Sequence, residues 1–222
     1  MASEIQLKQD IVEVGRRIWQ QGYVAANDGN ISIRVAEDTF LCTPTGVSKG
    51  FMTPEMIITV NGAGEVLEGN LKPSSEIKMH LGVYRDRPDV NSVVHAHPPI
   101  STAFAVVGEP LAKAVLPEFI IILGAVPIVA YGTPSTTEIP EAIAQYLQDY
   151  DAFLLENHGA LTVGTDVYNA YFKMETMEHF AKITLAARQL GGERELASDQ
   201  VQRLMEIRKK LGVQGRHPAL KK

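Results

Sequence analysis

The chain has 222 residues, a mass of 24.3 kDa and a formal net charge of −5, with 45% of its residues hydrophobic. That is enough chain for one large core and fits a single domain over residues 1–222; lysines and arginines are scattered among acids, so there is no basic stripe for nucleic acid. The single Cys42 excludes an intrachain disulfide, and neither a signal-peptide pattern nor a membrane-length apolar run is seen, so a cytoplasmic protein with no membrane partner is expected.

Ser3-Glu4-Ile5-Gln6 has capping-box spacing and predicts a helix with Ile11, Val14 and Ile18 on one face, stopping near Gly22. Short strands are expected over 31–35, 39–43 and 56–60, with Asn61-Gly62 and Gly64 turning the chain into Val66-Leu67. Ser74-Ser75-Glu76 precedes Ile77, Leu81 and Tyr84, the pattern of a helix that begins at the serines and ends before Pro88. A strand carrying His95 follows. Beyond it the periodicity predicts helices at about 99–107, 138–149, 166–190 and 199–211, a strand near 126–130 and a hairpin around His158-Gly159. Antiparallel strands with helices on both sides predict a three-layer α/β/α sandwich with a mixed, mainly antiparallel sheet. The Gly191-Gly192 pair sets off a C-terminal tail expected to be free to move.

His95-Ala96-His97 is the most informative stretch. Alternate strand side chains share a face, and Pro98-Pro99 cannot continue a ladder, so two imidazoles converge at a strand end. His158 stands at the end of a second apolar run, and three neutral imidazoles with an open fourth position make a catalytic type of metal centre. His179, in a helical pattern, and His217, in the polar tail, read as ordinary structural residues. Asn27-Asp28-Gly29-Asn30, Thr45-Gly46 and Ser74-Ser75 are each the kind of turn or cap that can also hold an anion with backbone N–H groups and hydroxyls. Glu76 directly follows the serines, where a carboxylate near a divalent cation serves as ligand or as proton acceptor; His80, one helical turn on, reads as structural.

In order and spacing, Gly29-Asn30-Ile31-Ser32, Thr43-Pro44-Thr45-Gly46, Ser74-Ser75-Glu76, His95-Ala96-His97 and Asn157-His158-Gly159 resemble the class II aldolase and adducin-head family, nearest its bacterial L-fuculose-phosphate aldolase branch. The resemblance runs from the first helix to about residue 190. It implies a metal-dependent lyase that reversibly cleaves a ketose 1-phosphate to dihydroxyacetone phosphate and an aldehyde, working as a homotetramer with interface active sites. His95, His97 and His158 would hold the cation, usually zinc, with manganese or cobalt as substitutes. Glu76 would be fourth ligand at rest and acid/base in turnover, and Gly29, Asn30, Thr45, Gly46, Ser74 and Ser75 would cradle the phosphate. Where that branch has an aldehyde-protonating tyrosine this chain has Phe119, and where it has a phosphate-loop threonine this chain has Asn27. Phenylalanine has no proton to give, which leaves Glu118, Tyr131 or a residue of the C-terminal tail as substitutes. Glu118 also keeps open a methylthioribulose-1-phosphate dehydratase. A ribulose-phosphate 4-epimerase would carry aspartate at position 76, and a non-catalytic adducin-like module would not need the four metal-site residues.

Overall fold

The computed structural model describes residues 3–220. The first helix, α1 (Glu4–Gln20), starts where the Ser3 hydroxyl accepts the Gln6 N–H, and buries Ile11, Val14, Gly15 and Ile18. The strands follow as β1 (Asn30–Ala36), β2 (Thr39–Cys42), β3 (Ile58–Val60) and β4 (Val66–Glu68), then β5 (Ser92–Ala96), β6 (Ile128–Val129), β7 (Ala152–Leu155) and β8 (Gly159–Gly164). They form one eight-stranded sheet in the order β4-β3-β2-β1-β5-β8-β7-β6. Every pairing is antiparallel except β6 with β7.

Strand alternation divides the core in two. Ile31, Ile33, Leu41, Val94, Ala96 and Leu154 face one side, under α1, α3 (Pro99–Val106) and α6 (Val167–Gln189). Phe40, Cys42, Ile58, Val93, Phe153 and Leu155 face the other, under α2 (Ile77–Asp86) and α5 (Glu138–Ala144). This is the three-layer sandwich with a mixed, mainly antiparallel sheet that the pattern predicts. No helix among the described residues is long and apolar enough to cross a membrane.

Several boundaries differ from expectation. The helix expected to begin at Ser74-Ser75 begins at Ile77, because the Ile77 N–H bonds the Ser74 carbonyl at 3.1 Å and closes a tighter turn over the serines first. A short helix, α4 (Pro117–Ile122), forms where none is predicted; Pro117 occupies its first position, and the apolar run Ile120–Leu123 carries no helical period in the sequence. The helix expected to reach residue 149 ends at Ala144 and continues as turns, with Tyr146 N–H bonded to the Ile143 carbonyl. The C-terminal segment is built into the molecule: α7 (Ser198–Lys210) packs on α4, and buried Arg208 donates to the carbonyls of Ile121 and Ile122.

Candidate active site

β5 lies inside the sheet, with β1 and β8 bonded on either side, and its last turn outward delivers His95 and then His97 to one face. His97 leaves the ladder, and its N–H bonds instead to the Tyr23 carbonyl at 2.8 Å. The third imidazole comes from the tight β7–β8 turn, where His158 N–H closes on the Leu155 carbonyl at 3.0 Å and Asn157 takes a left-handed φ of 53°. One ligand nitrogen from each of the three histidines lies within 4.8 Å of the others. Gly159, next to His158, makes room for this: a Cβ there would meet His97 Cδ2 at 2.5 Å and the Ala96 carbonyl at 2.7 Å.

The donor atoms fit a cation. The Nδ1 of His95 donates to the Ala160 carbonyl at 2.9 Å, which leaves Nε2 bare and aimed inward. That Nε2 lies 3.2 Å from His97 Nε2. Glu76 reaches the same point, with Oε1 3.2 Å from His158 Nε2 and Oε2 3.5 Å from His95 Nε2. Ligands about 2.0–2.1 Å from a shared tetrahedral zinc stand about 3.3 Å apart, so these spacings match a common first shell. Glu76 Oε1 and His158 Nδ1 are also buried without a hydrogen-bond partner, and satisfying Glu76 Oε1 is work a cation would do.

Burial drives the electrostatics. It lowers the His95 pKa to about 3 against the opposing pull of Glu76, and lowers His97 as well, with help from His158; both rings are neutral at physiological pH, the form in which an imidazole can hold a cation. Burial would push the Glu76 carboxyl up, yet His95, His158 and a 2.7 Å hydrogen bond from the Asn30 amide outweigh it and hold Glu76 well below the usual carboxylate range. Asp28, whose carboxylate is 3.7 Å from His97 Nδ1, stands behind that ring, a place that would let it orient the imidazole toward a cation.

A cleft of about 240 Å³ opens beside the imidazoles, lined by Gly29, Asn30, Thr45, Ser74, Ser75 and Glu76 among others. Gly29 is required there: its φ is +75°, and a Cβ would meet the His95 carbonyl at 2.9 Å. Gly46 also has a positive φ but sits exposed beside Thr45, outside the cleft lining. The Ser74 hydroxyl accepts from the Glu76 N–H and from the Asn30 amide, so it is fixed in position with its own proton free to donate. The Thr45 N–H is already committed to the Lys72 carbonyl, which leaves its hydroxyl for a ligand.

The residues expected to stand in for the missing tyrosine lie elsewhere. Glu118 is exposed on α4 and lines a separate cavity with His179 and Phe180, away from the cleft of its own chain. Phe119 is buried and stacks on Phe180 with ring centroids 3.7 Å apart. Tyr131 is exposed and does not line the cleft. Sequence reasoning missed Pro134 and Ser135, which form part of the cleft wall, with the Ser135 hydroxyl 2.8 Å from that of Ser75. The only signal for them is turn chemistry in Gly132-Thr-Pro-Ser-Thr.

The model of the class II aldolase and adducin N-terminal domain matches residues 9–185. An L-fuculose phosphate aldolase of Methanococcus maripaludis is 34% identical over 174 residues, covering 78% of this chain and 93% of that protein. A 3-oxo-tetronate 4-phosphate decarboxylase of Pectobacterium atrosepticum is 33% identical over 187 residues, covering 82% and 85%. The crystal structure of an L-fuculose-1-phosphate aldolase from Thermus thermophilus superposes with a TM-score of 0.75 at 34% identity, covering 85% of this chain and 98% of that one. With the histidine cluster and the cleft beside it already in place, the match fixes the family: this chain belongs to the class II aldolase and adducin N-terminal domain family.

Proposed function

We propose that this protein is a divalent-cation-dependent lyase that cleaves a phosphorylated ketose such as L-fuculose 1-phosphate to dihydroxyacetone phosphate and an aldehyde. The observation that carries the reading is the placement of Glu76, whose carboxylate touches His95 and His158 while its backbone N–H bonds the Ser74 hydroxyl. One residue thus links a cation site to an anion cleft. His95, His97, His158 and Glu76 would hold the cation, with zinc favoured by three imidazoles and one carboxylate and manganese or cobalt as substitutes. When bound, the cation supplies Lewis-acid stabilisation of negative charge developing on substrate oxygens.

The chain's own residues do the rest. Ser74, Ser75 and Thr45 offer hydroxyls to a phosphate, with the Gly29-Asn30 loop closing beneath it. Glu76, kept ionised and oriented by the Asn30 amide, is the base that takes or returns the proton on the carbon where the bond forms or breaks. With this reading go a cytoplasmic location and a homotetramer, the latter supported by exposed apolar side chains such as Phe51 and Leu211.

A second reading is favoured by Phe119. Cleavage to an aldehyde needs a base to take the proton of the hydroxyl that becomes the aldehyde oxygen, the same group acting as acid in the condensation direction, whereas a 3-oxo acid loses carbon dioxide from its ionised carboxylate with no such proton to move. A buried phenylalanine stacked on Phe180 suits the decarboxylation, and the relative from Pectobacterium atrosepticum carries that activity in its name. The deciding experiment offers the zinc-loaded protein L-fuculose 1-phosphate and 3-oxo-tetronate 4-phosphate. Dihydroxyacetone phosphate with an aldehyde supports the first reading; dihydroxyacetone phosphate with carbon dioxide supports the second; release from neither sinks both. In either case Glu76→Gln is expected to keep its metal but slow solvent exchange of the dihydroxyacetone phosphate C3 hydrogen by about 10²- to 10⁴-fold.

A further inference from the structure

The cleft beside the histidines has a charge imbalance. Asp28 and Glu76 line it, and among the described residues no lysine or arginine does. A dianionic phosphate seated on the serines would therefore meet two carboxylates and no fixed side-chain cation. Just behind the lining, however, lies Lys49. It is 1% exposed, and its ammonium donates to the Asn27 carbonyl at 2.9 Å and to the Val47 carbonyl at 2.8 Å. Asn27 begins the loop that carries Gly29, and Val47 ends the loop that carries Thr45 and Gly46. One buried ammonium joins the two glycine loops of the anion cleft.

Among the described residues, no carboxylate comes within ion-pair distance of Lys49. Burial lowers its pKa to about 8, with Asp28 the charged side chain opposing that shift. A neutral amide would bond two carbonyls without the cost of burying a charge, so cross-linking the loops does not account for a lysine. A buried cation with no anion in ion-pair contact is accounted for by an anion that arrives with the substrate.

We infer that Lys49 is the fixed positive charge of the phosphate subsite, acting from behind the Asn27 and Val47 carbonyls as a positioning and specificity-determining residue. The inference rests on the phosphate reading of the cleft. Its test is calorimetric titration of the zinc-loaded protein with inorganic phosphate, comparing wild type with Lys49→Gln and Lys49→Met. Glutamine keeps an N–H donor for the loop carbonyls but no charge. Lys49→Gln is expected to lose about tenfold in phosphate affinity, as Lys49→Met does, with zinc content unchanged and KM for the phosphorylated substrate raised more than kcat is lowered. Wild-type affinity for glutamine with loss only for methionine would make Lys49 a mere cross-link and overturn the inference. Absence of phosphate binding in the wild type would overturn the phosphate reading itself, and the inference with it. Should both variants fail to fold, the wild type alone decides: its phosphate affinity is expected to fall between about pH 8 and 9.5 as the ammonium loses its proton, and a flat profile refutes the charge.

Discussion

Gly159 is the residue on which the imidazole cluster depends most narrowly. An added methyl would overlap both the flexible edge of the His97 ring and the Ala96 carbonyl, and the carbonyl belongs to a strand paired on both sides. The ring must therefore move. Gly159→Ala is expected to cost about 1–3 kcal/mol of stability through overpacking and to weaken zinc binding at least about tenfold, read by denaturant unfolding and by metal competition. The sequence gives half of this. Alternation places His95 and His97 on one face, because the period of a strand is written locally. The requirement for glycine at 159 comes from a ring 62 positions earlier in the chain (159 − 97), and no local pattern encodes such a contact. Lys49 was equally silent, since a lysine near glycines reads as solvated surface.

At the scale of elements, α2 is docked on the sheet by a polar stack as well as by its apolar face. Glu76, His80 and Tyr84 recur every four residues, and Ser32 on β1 bonds His80 Nδ1 at 2.7 Å and the Tyr84 hydroxyl at 2.8 Å. This stack sets the rotation of the helix that presents Glu76 to the cation site. Complete burial lowers the His80 pKa from 6.5 to about 4, with Glu76 opposing. Between those values the unfolded chain binds the proton and the folded one does not, so stability falls as the pH drops below about 6.5. His80 alone is expected to account for about 2 kcal/mol of lost stability between pH 7 and pH 5, and His80→Gln should flatten that part of the urea-unfolding profile. Long periodic elements such as α1 and α6 were legible almost to the residue. The start of α2 and the whole of α4 were not, because a turn over Ser74 and a six-residue helix whose apolar residues show no helical period are decided by what packs against them.

Across the whole molecule, the end of β7 remote from His158 carries a charged knot that closes the fold. The Asp151 carboxylate accepts from Arg87 at 2.9 Å, from Lys173 at 2.8 Å and from the Arg216 N–H at 3.0 Å, so the exit of α2, the long α6 and the C-terminal segment meet at one acid. Asp151→Asn leaves the buried Lys173 without its carboxylate, while Arg87 keeps Asp89, and is expected to cost about 3 kcal/mol in denaturant unfolding, while folded protein still takes up zinc. The tail expected to move free of the fold is anchored by such contacts, Arg208 and His217 among them, and their partners are backbone carbonyls that no side-chain pattern announces. The position of β5 has a further consequence. Because the strand that bears His95 and leads into His97 is clamped between neighbours, the histidine half of the site is a chassis with almost no play, whereas the segments around Asn27, Thr45 and Ser135 lie in loops outside the strands, tied at most by the single bridge of Pro44 with Pro73. New substrates can be explored by editing those loops without disturbing the chassis, which gives a physical reason why relatives of similar identity bear the names of an aldolase and a decarboxylase.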